Sequence, residues 1–276
     1  MLQDIFPMKL DNQFKYIKPK DDDRCIAFNN NSILLSDNES DHVIYPRYGE
    51  LKYEIGNYIY LFSLDDTNYF LVEMNVDEIL GYDYMPMVKF RSMSPKHEVY
   101  VGMTAYHLYV WYRDNRFCGR CGSRLVHGTD ERVLCCDNCK NSVSPKIMPA
   151  VIVGVINGDK ILVTRYKDRP YKGYALIAGF TEIGETAEET VIREVKEETG
   201  IDIKNIKYYK TQPWGIAQDL LLGYFCELDG DDDITIDENE LSVAEWISRD
   251  ELDIHYEDVS MTNEMIWQFK EGNVKF

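Results

Sequence analysis

The stretch Gly179–Ile201, GFTEIGETAEETVIREVKEETGI, constrains this chain more than any other. It sets Gly179, then Glu185 after five intervening residues, then after seven more the run Arg193-Glu194-Val195-Lys196-Glu197-Glu198-Thr199-Gly200-Ile201. Thr186 and Glu189 have capping-box spacing, in which a Thr hydroxyl caps the helix and a Glu three residues on reaches back. Gly200 supplies the matching stop. The helix between them places Glu194, Glu197 and Glu198 at i, i+3 and i+4, as neighbours on its surface. With Glu194 at zero and about 100° per residue, Glu197 falls near −60° and Glu198 near +40°. Ala187, Val191, Val195 and Ile192 spread from about 20° to 160°. The carboxylates therefore border the apolar stripe, although Glu188 falls inside it. Two readings follow: a solvated acidic helix, or carboxylates held at the edge of a core, where they repel one another and attract hard cations such as Mg²⁺ or Mn²⁺.

At these residues the chain resembles the Nudix box, G-x(5)-E-x(7)-R-E-U-x-E-E-x-G-U with U apolar, and every fixed position is filled. The resemblance implies a loop–helix–loop that binds divalent metal and assists water attack on a diphosphate linked to another group.

The 276 residues suffice for two domains, and 45% hydrophobic content is ample for a core. No apolar run approaches the length of a membrane span. The opening MLQDIFPMKLDNQF lacks the basic–apolar–small order of a signal peptide, so a cytoplasmic protein is expected. A net charge of −18 disfavours a broad basic nucleic-acid surface. Seven cysteines without a signal peptide argue for metal over disulfides.

Residues 1–113 read as an N-terminal α+β accessory domain. Short strands are expected at Cys25–Phe28, Ser32–Leu35, Tyr58–Leu64 and Asn68–Met74, with turns at Asn29–Asn31 and Asp65–Thr67. Ser94-Pro95 reads as an N-cap and first helical residue, opening a helix to about Arg113. His107 and Cys25 are expected as core residues.

Residues 114–145 carry Cys118-x-x-Cys121 and Cys136-x-x-Cys139, the spacing of a zinc ribbon with four thiolates on one Zn²⁺. Cys135 offers a competing register, but Cys136 alone gives the two-residue gap to Cys139. A structural role is expected for this ribbon.

In residues 146–276, Ala150–Ile156 and Lys160–Tyr166 flank Asn157-Gly158-Asp159, a hairpin signal. A short strand, Ala175–Ala178, delivers the chain to Gly179, where the backbone is expected to turn and approach a phosphate. Strands Ile206–Thr211, Leu220–Glu227 and Ala244–Ile247 and a helix Thr262–Phe269 complete an α/β fold with a mixed sheet. This agrees with the α/β/α sandwich that the box implies.

Thr211-Gln212-Pro213-Trp214 is similar to the S-Q-P-W-P-F-P-x-S array of the NADH pyrophosphatase branch of Nudix enzymes, which also places a four-cysteine ribbon before the catalytic domain. Here Gly215-Ile216-Ala217-Gln218-Asp219 replaces the family's Pro-Phe-Pro-x-Ser, and Ser144 stands where the family often has Tyr. The resemblance implies Mg²⁺ or Mn²⁺, two or three ions, on Glu194, Glu197, Glu198 and Glu240 with the carbonyl of Ala178. It implies substrate contacts at Glu131, Phe180, Gln212, Pro213, Trp214, Thr262 and the 215–219 array. Arg193 would hold the glutamates and Glu185 would support the loop or the metal shell. The expected reaction is hydrolysis of NAD(H) to NMN(H) and AMP by a homodimer. Removal of an NAD cap from RNA, or hydrolysis of ADP-ribose or another nucleoside diphosphate compound, is the alternative. A non-catalytic nucleotide-sensing regulator is a third reading, opposed by the complete set of glutamates.

Overall fold

The computed structural model describes residues 1–37, 41–167, 173–236 and 241–276. They fall into two compact units. The first comprises Leu2–Lys146 with Gly215–Gln218, and the second comprises Met1, Ile147–Trp214 and Asp219–Phe276.

In the first unit, Ile55–Leu64 and Thr67–Met74 form an antiparallel hairpin flanked by Leu10–Asp11 on one side and Arg24–Ile26 on the other. Asp65 turns this hairpin at φ 48°. A second sheet joins Phe28–Asn29, Ser32–Ser36 and Tyr82–Pro86, the last a strand with no marked sequence signal. Cys25, Tyr60 and Phe70 pack in its core, as expected for Cys25. The helix runs Lys96–Asp114, with Pro95 itself at the N-cap in extended backbone and no side-chain cap. Ser94 instead directs its hydroxyl to the Asp41 carbonyl. His107 accepts or donates at the Lys146 carbonyl, 2.8 Å away. Three two-residue strands, Val126–His127, Leu134–Cys135 and Ser142–Val143, make the small sheet that follows.

The second unit is built on one central strand, β1 (Met148–Asn157). It pairs with β2 (Lys160–Tyr166) through a hairpin at Gly158, where φ is 61°. Near its start it also pairs antiparallel with β3 (Ile177–Phe180), and along its length it pairs parallel with β5 (Asp219–Asp229). β4 (Asp202–Trp214) and β6 (Leu241–Ser248) are the edges, giving the order β4-β5-β1-β2-β6. Pro213 is tolerated because β4 is an edge strand.

Alternation along the strands divides the apolar residues between two helices. Val151, Val153, Val155, Leu162 and Cys226 meet Val191 and Val195 of α1 (Ala187–Thr199). Ile152, Ile156, Ile161, Val163 and Phe225 meet Met261, Met265, Ile266 and Phe269 of α2 (Met261–Lys270). The sheet is thus covered on both faces, the α/β/α arrangement expected. Strands run longer than their sequence signals because edge residues with mixed polarity still pair through the backbone.

Helix α1 is bounded as its sequence requires. The Thr186 hydroxyl accepts from Glu189 N–H at 3.2 Å, and Glu189 accepts from Thr186 N–H at 2.7 Å. Gly200 closes the helix in left-handed backbone, φ 74°. Replacing Thr186 with Ala is expected to cost about 1 kcal/mol, read as a lowered thermal unfolding midpoint of the second unit, while T186S stays near wild type.

Candidate active site

Gly179 lies inside β3, paired with Val151, instead of beyond the end of a strand. Its φ is not in the left-handed region, so a turn is not what demands glycine here. The demand comes from Glu194. A Cβ at position 179 would stand 2.0 Å from Glu194 Cδ and about as close to both carboxylate oxygens. The carboxylate of a helix residue thus rests on the bare backbone of a strand, and any other residue at 179 would expel it.

The three glutamates differ in burial. Glu194 is 9% and Glu198 2% exposed, whereas the Glu197 side chain is 62% exposed. Ile192, expected in the apolar stripe, is 51% exposed, because it lies at the stripe's far margin. Glu188, inside the stripe by angle, stays exposed in the first turn and accepts from the Tyr224 hydroxyl at 2.9 Å.

Arg193 connects the helix to the loop before it. Nε and Nη2 donate to the two oxygens of Glu185, at 2.6 and 2.9 Å. Nη1 donates to Glu194 at 2.7 Å and Glu197 at 3.0 Å, and Nη2 also reaches the Phe180 carbonyl at 2.9 Å. Glu185 further accepts from the Thr190 hydroxyl and from Glu182 N–H. The Arg193 guanidinium holds the Glu185 carboxyl down at about 2, and the same contacts push the guanidinium pKa up. Glu185 thus ties the loop to Arg193 and Thr190 of the helix. Thr190 was not a sequence candidate, but it lies one turn before Arg193 on the same face.

Other candidates are placed as follows. Ala178, in β3, pairs with Ile152. Phe180 is 52% exposed. Gln212 is fully buried, and its amide is used on the main chain: Nε2 donates to the Val259 carbonyl and Oε1 accepts from Met261 N–H, both at 2.8 Å. Both ends of the amide are thus engaged on the main chain. It pins the start of α2, where Thr262 is the second helical residue. Trp214 ends β4 opposite Asp219. Asp219 is 7% exposed, and burial pushes its pKa up to about 6. Gly215, Ile216, Ala217 and Gln218 form the connecting turn, with Gln218 at φ 63°. They and Glu131 group with the first unit, whereas the box residues belong to the second. Glu240 lies outside the described residues.

The donor set of the box is hard oxygen, suited to Mg²⁺ or Mn²⁺, and the cradle at Gly179 fixes one member of it. Among the described residues, the side chains whose ligand atoms converge within 4.8 Å are Cys118, Cys121, Cys136 and Cys139. Sγ–Sγ separations of 3.6 Å (Cys118–Cys139) and 3.5 Å (Cys121–Cys136) approach the ~3.8 Å edge of a tetrahedron with ~2.3 Å Zn–S bonds. The two knuckles repeat one geometry. Cys118 N–H donates to the Ser123 carbonyl and Gly122 N–H to Cys118, while Cys136 N–H donates to Asn141 and Lys140 N–H to Cys136. Gly122 (φ 74°) and Lys140 (φ 58°) occupy the equivalent left-handed position. The Ser123 hydroxyl and amide hold the Cys121 thiol down at about 5. Cys135 stays in its strand, outside the cluster. Four cysteines so placed suit a zinc ion.

Residues 146–266 match the NUDIX domain. The chain is 39% identical over 142 residues to a Pectobacterium atrosepticum protein named NAD-capped RNA hydrolase NudC, covering 51% of this chain and 54% of that one. An Escherichia coli protein of the same name is 37% identical over 142 residues, covering 51% and 55%. The chain thus spans about half the length of the curated relatives it matches. It is also similar to a crystal structure of a NUDIX hydrolase from Nitrosomonas europaea, at 18% identity and TM-score 0.48, covering 57% of this chain and 92% of that one.

Two measurements check this geometry. G179A is expected to displace the Glu194 carboxylate, the flexible end of its side chain, and to lower the stability of the second unit by about 1 kcal/mol through the weakened Arg193–Glu194 contact; equal effects of E194A on G179A and on wild type would mean that Glu194 is not the obstacle. The second concerns pH. The Glu185 pKa is lower folded than unfolded, so its contribution is present above about 4.5 and is lost as pH falls towards about 2. Acid titration of R193A should show a shallower stability slope across that window than wild type.

Proposed function

Given that residues 146–266 carry a NUDIX domain, we propose that the chain is a metal-dependent hydrolase of the diphosphate bond of NAD(H), yielding NMN(H) and AMP. The observation that carries this reading is the Glu194 carboxylate seated on Gly179 and clamped by Arg193, within a fully matched box. Glu194, Glu197, Glu198 and Glu240, with the Ala178 carbonyl, are assigned to two or three Mg²⁺ or Mn²⁺ ions. When bound, these ions neutralise diphosphate oxygens and lower the pKa of water.

The remaining work belongs to the chain. Arg193 orients Glu194 and Glu197, and Glu185 orients Arg193. One glutamate takes the proton from the attacking water. The water oxygen bonds to one phosphorus as the bridging P–O bond breaks, and the second phosphate leaves with its nucleoside. Phe180 offers an exposed face on which a base can stack. Pro213, Trp214, Asp219 and Thr262 are assigned to substrate contact in the same unit. Cys118, Cys121, Cys136 and Cys139 are assigned to one structural Zn²⁺. A homodimer in the cytoplasm completes the reading. Among the described residues no helix is long and apolar enough to cross a membrane.

The name of the relatives favours a second substrate, the NAD cap of RNA. The reacting atoms are the same, and the 215–219 stretch departs from the dinucleotide array. Rates on NADH, NAD⁺, ADP-ribose and NAD-capped RNA, with Mg²⁺ and Mn²⁺, separate the two; NADH as the poorest substrate overturns the first. E198Q is expected to lower kcat by about 10²-fold or more, and unchanged turnover sinks the carboxylate mechanism. C139S is expected to lose the zinc that wild type carries at one ion per chain by metal analysis.

A further inference from the structure

Asp219 stands where the dinucleotide array has a serine. Its side chain is buried, and among the described residues Oδ1 accepts no hydrogen bond. Burial alone pushes its pKa up, to about 6, so at neutral pH it carries a charge that no described neighbour balances. Among the described residues it belongs to no group of metal-ligating side chains. An unpaired buried carboxylate is costly. Its presence beside an expected substrate array points to a partner that arrives with the ligand.

The sheet register places this carboxylate. Asp219 opens β5, opposite Trp214 of β4 and Met148 of β1. Leu221, two residues on, and Ala178, two residues before Phe180, both pack in the cluster on the α2 side. Residues two apart on a strand share a face, so Asp219 and Phe180 face the same side. Ala150 of β1 joins them, pairing with Leu221 on one edge and with Phe180 on the other. Two strand spacings and one two-residue step put the two backbones about 12 Å apart. A ligand seated on the exposed Phe180 ring thus extends over the same face as Asp219.

The charge decides which part of a dinucleotide suits that position. Phosphates are repelled. Hydroxyl and amino groups donate hydrogen bonds but leave the charge unbalanced. The one positive charge on the dinucleotide is the oxidised nicotinamide ring. We propose that Asp219 is a specificity-determining residue that faces this cationic ring, so that NAD⁺ is preferred over its reduced, uncharged-ring form NADH. A serine hydroxyl at this position draws no such distinction. The proposal rests on the NAD(H) diphosphatase reading of the site and names the redox form that it takes.

The ratio of kcat/KM for NAD⁺ to that for NADH, in wild type, D219N and D219S, tests it. Wild type is expected to favour NAD⁺ by about tenfold, mainly through KM, with ADP-ribose, which lacks the ring, below both. D219N and D219S should bring the ratio near one. A purely structural role for Asp219 would move both substrates alike and leave the ratio unchanged. As pH falls through about 6 the carboxylate is protonated, so the wild-type ratio should fall and the ratios of both variants stay flat. D219N should unfold at no lower temperature than wild type, because no partner within the protein is lost. Dissociation constants of the two dinucleotides in E198Q with Mg²⁺ give the same preference without turnover. An NAD⁺ preference in binding without hydrolysis by wild type would therefore count against the diphosphatase reading and still support the role of Asp219. Equal affinity for NAD⁺ and NADH, a preference unchanged in D219N and D219S, or a clear loss of thermal stability in D219N would each overturn the proposal.

Discussion

The contact on which the second unit depends is a carboxylate on a glycine. Glu194 belongs to α1, Gly179 to β3, and the missing Cβ is what lets the Glu194 carboxylate rest on the strand backbone. The acidic group then enters a region where a charge is costly unless paired. Arg193 supplies the pairing and spends its remaining donors on Glu185, Glu197 and the Phe180 carbonyl. One guanidinium thereby fixes the helix, the preceding loop and the end of the strand to one another.

The rest of the unit keeps that contact in place. Alternation along β1 sends Val151, Val153 and Val155 to α1, and Ile152 and Ile156 to α2. A shift of one residue would exchange these faces and lift α1 from Gly179. On the other side, Gln212 holds residues 259–261 by two main-chain hydrogen bonds. It thus acts on α2 through the backbone, which a polar side chain near an expected substrate array does not announce.

The cysteine ribbon follows a different logic, because its geometry is local. Each knuckle is set by two backbone hydrogen bonds and one left-handed residue, Gly122 in the first and Lys140 in the second. Glycine fills that position without strain, whereas lysine there costs conformational energy. Convergence of four sulfur atoms is what offsets it when a metal is held.

The sequence by itself determined what depends on near neighbours: α1 with its cap and stop, the hairpin at Gly158, the two knuckles, and the strands with strong apolar runs. It also carried the box pattern, since its spacings are those of one helix and one loop. Tertiary structure decided the rest. It made Gly179 a seat for Glu194 instead of a turn beside phosphate, and buried Glu198 while leaving Glu197 exposed. It assigned Gln212 to the main chain and buried Asp219 without a hydrogen-bond partner for Oδ1 among the described residues. The physical reason is separation along the chain. A helical or turn position is fixed within a few residues, whereas burial and partner choice depend on surfaces brought together from far apart.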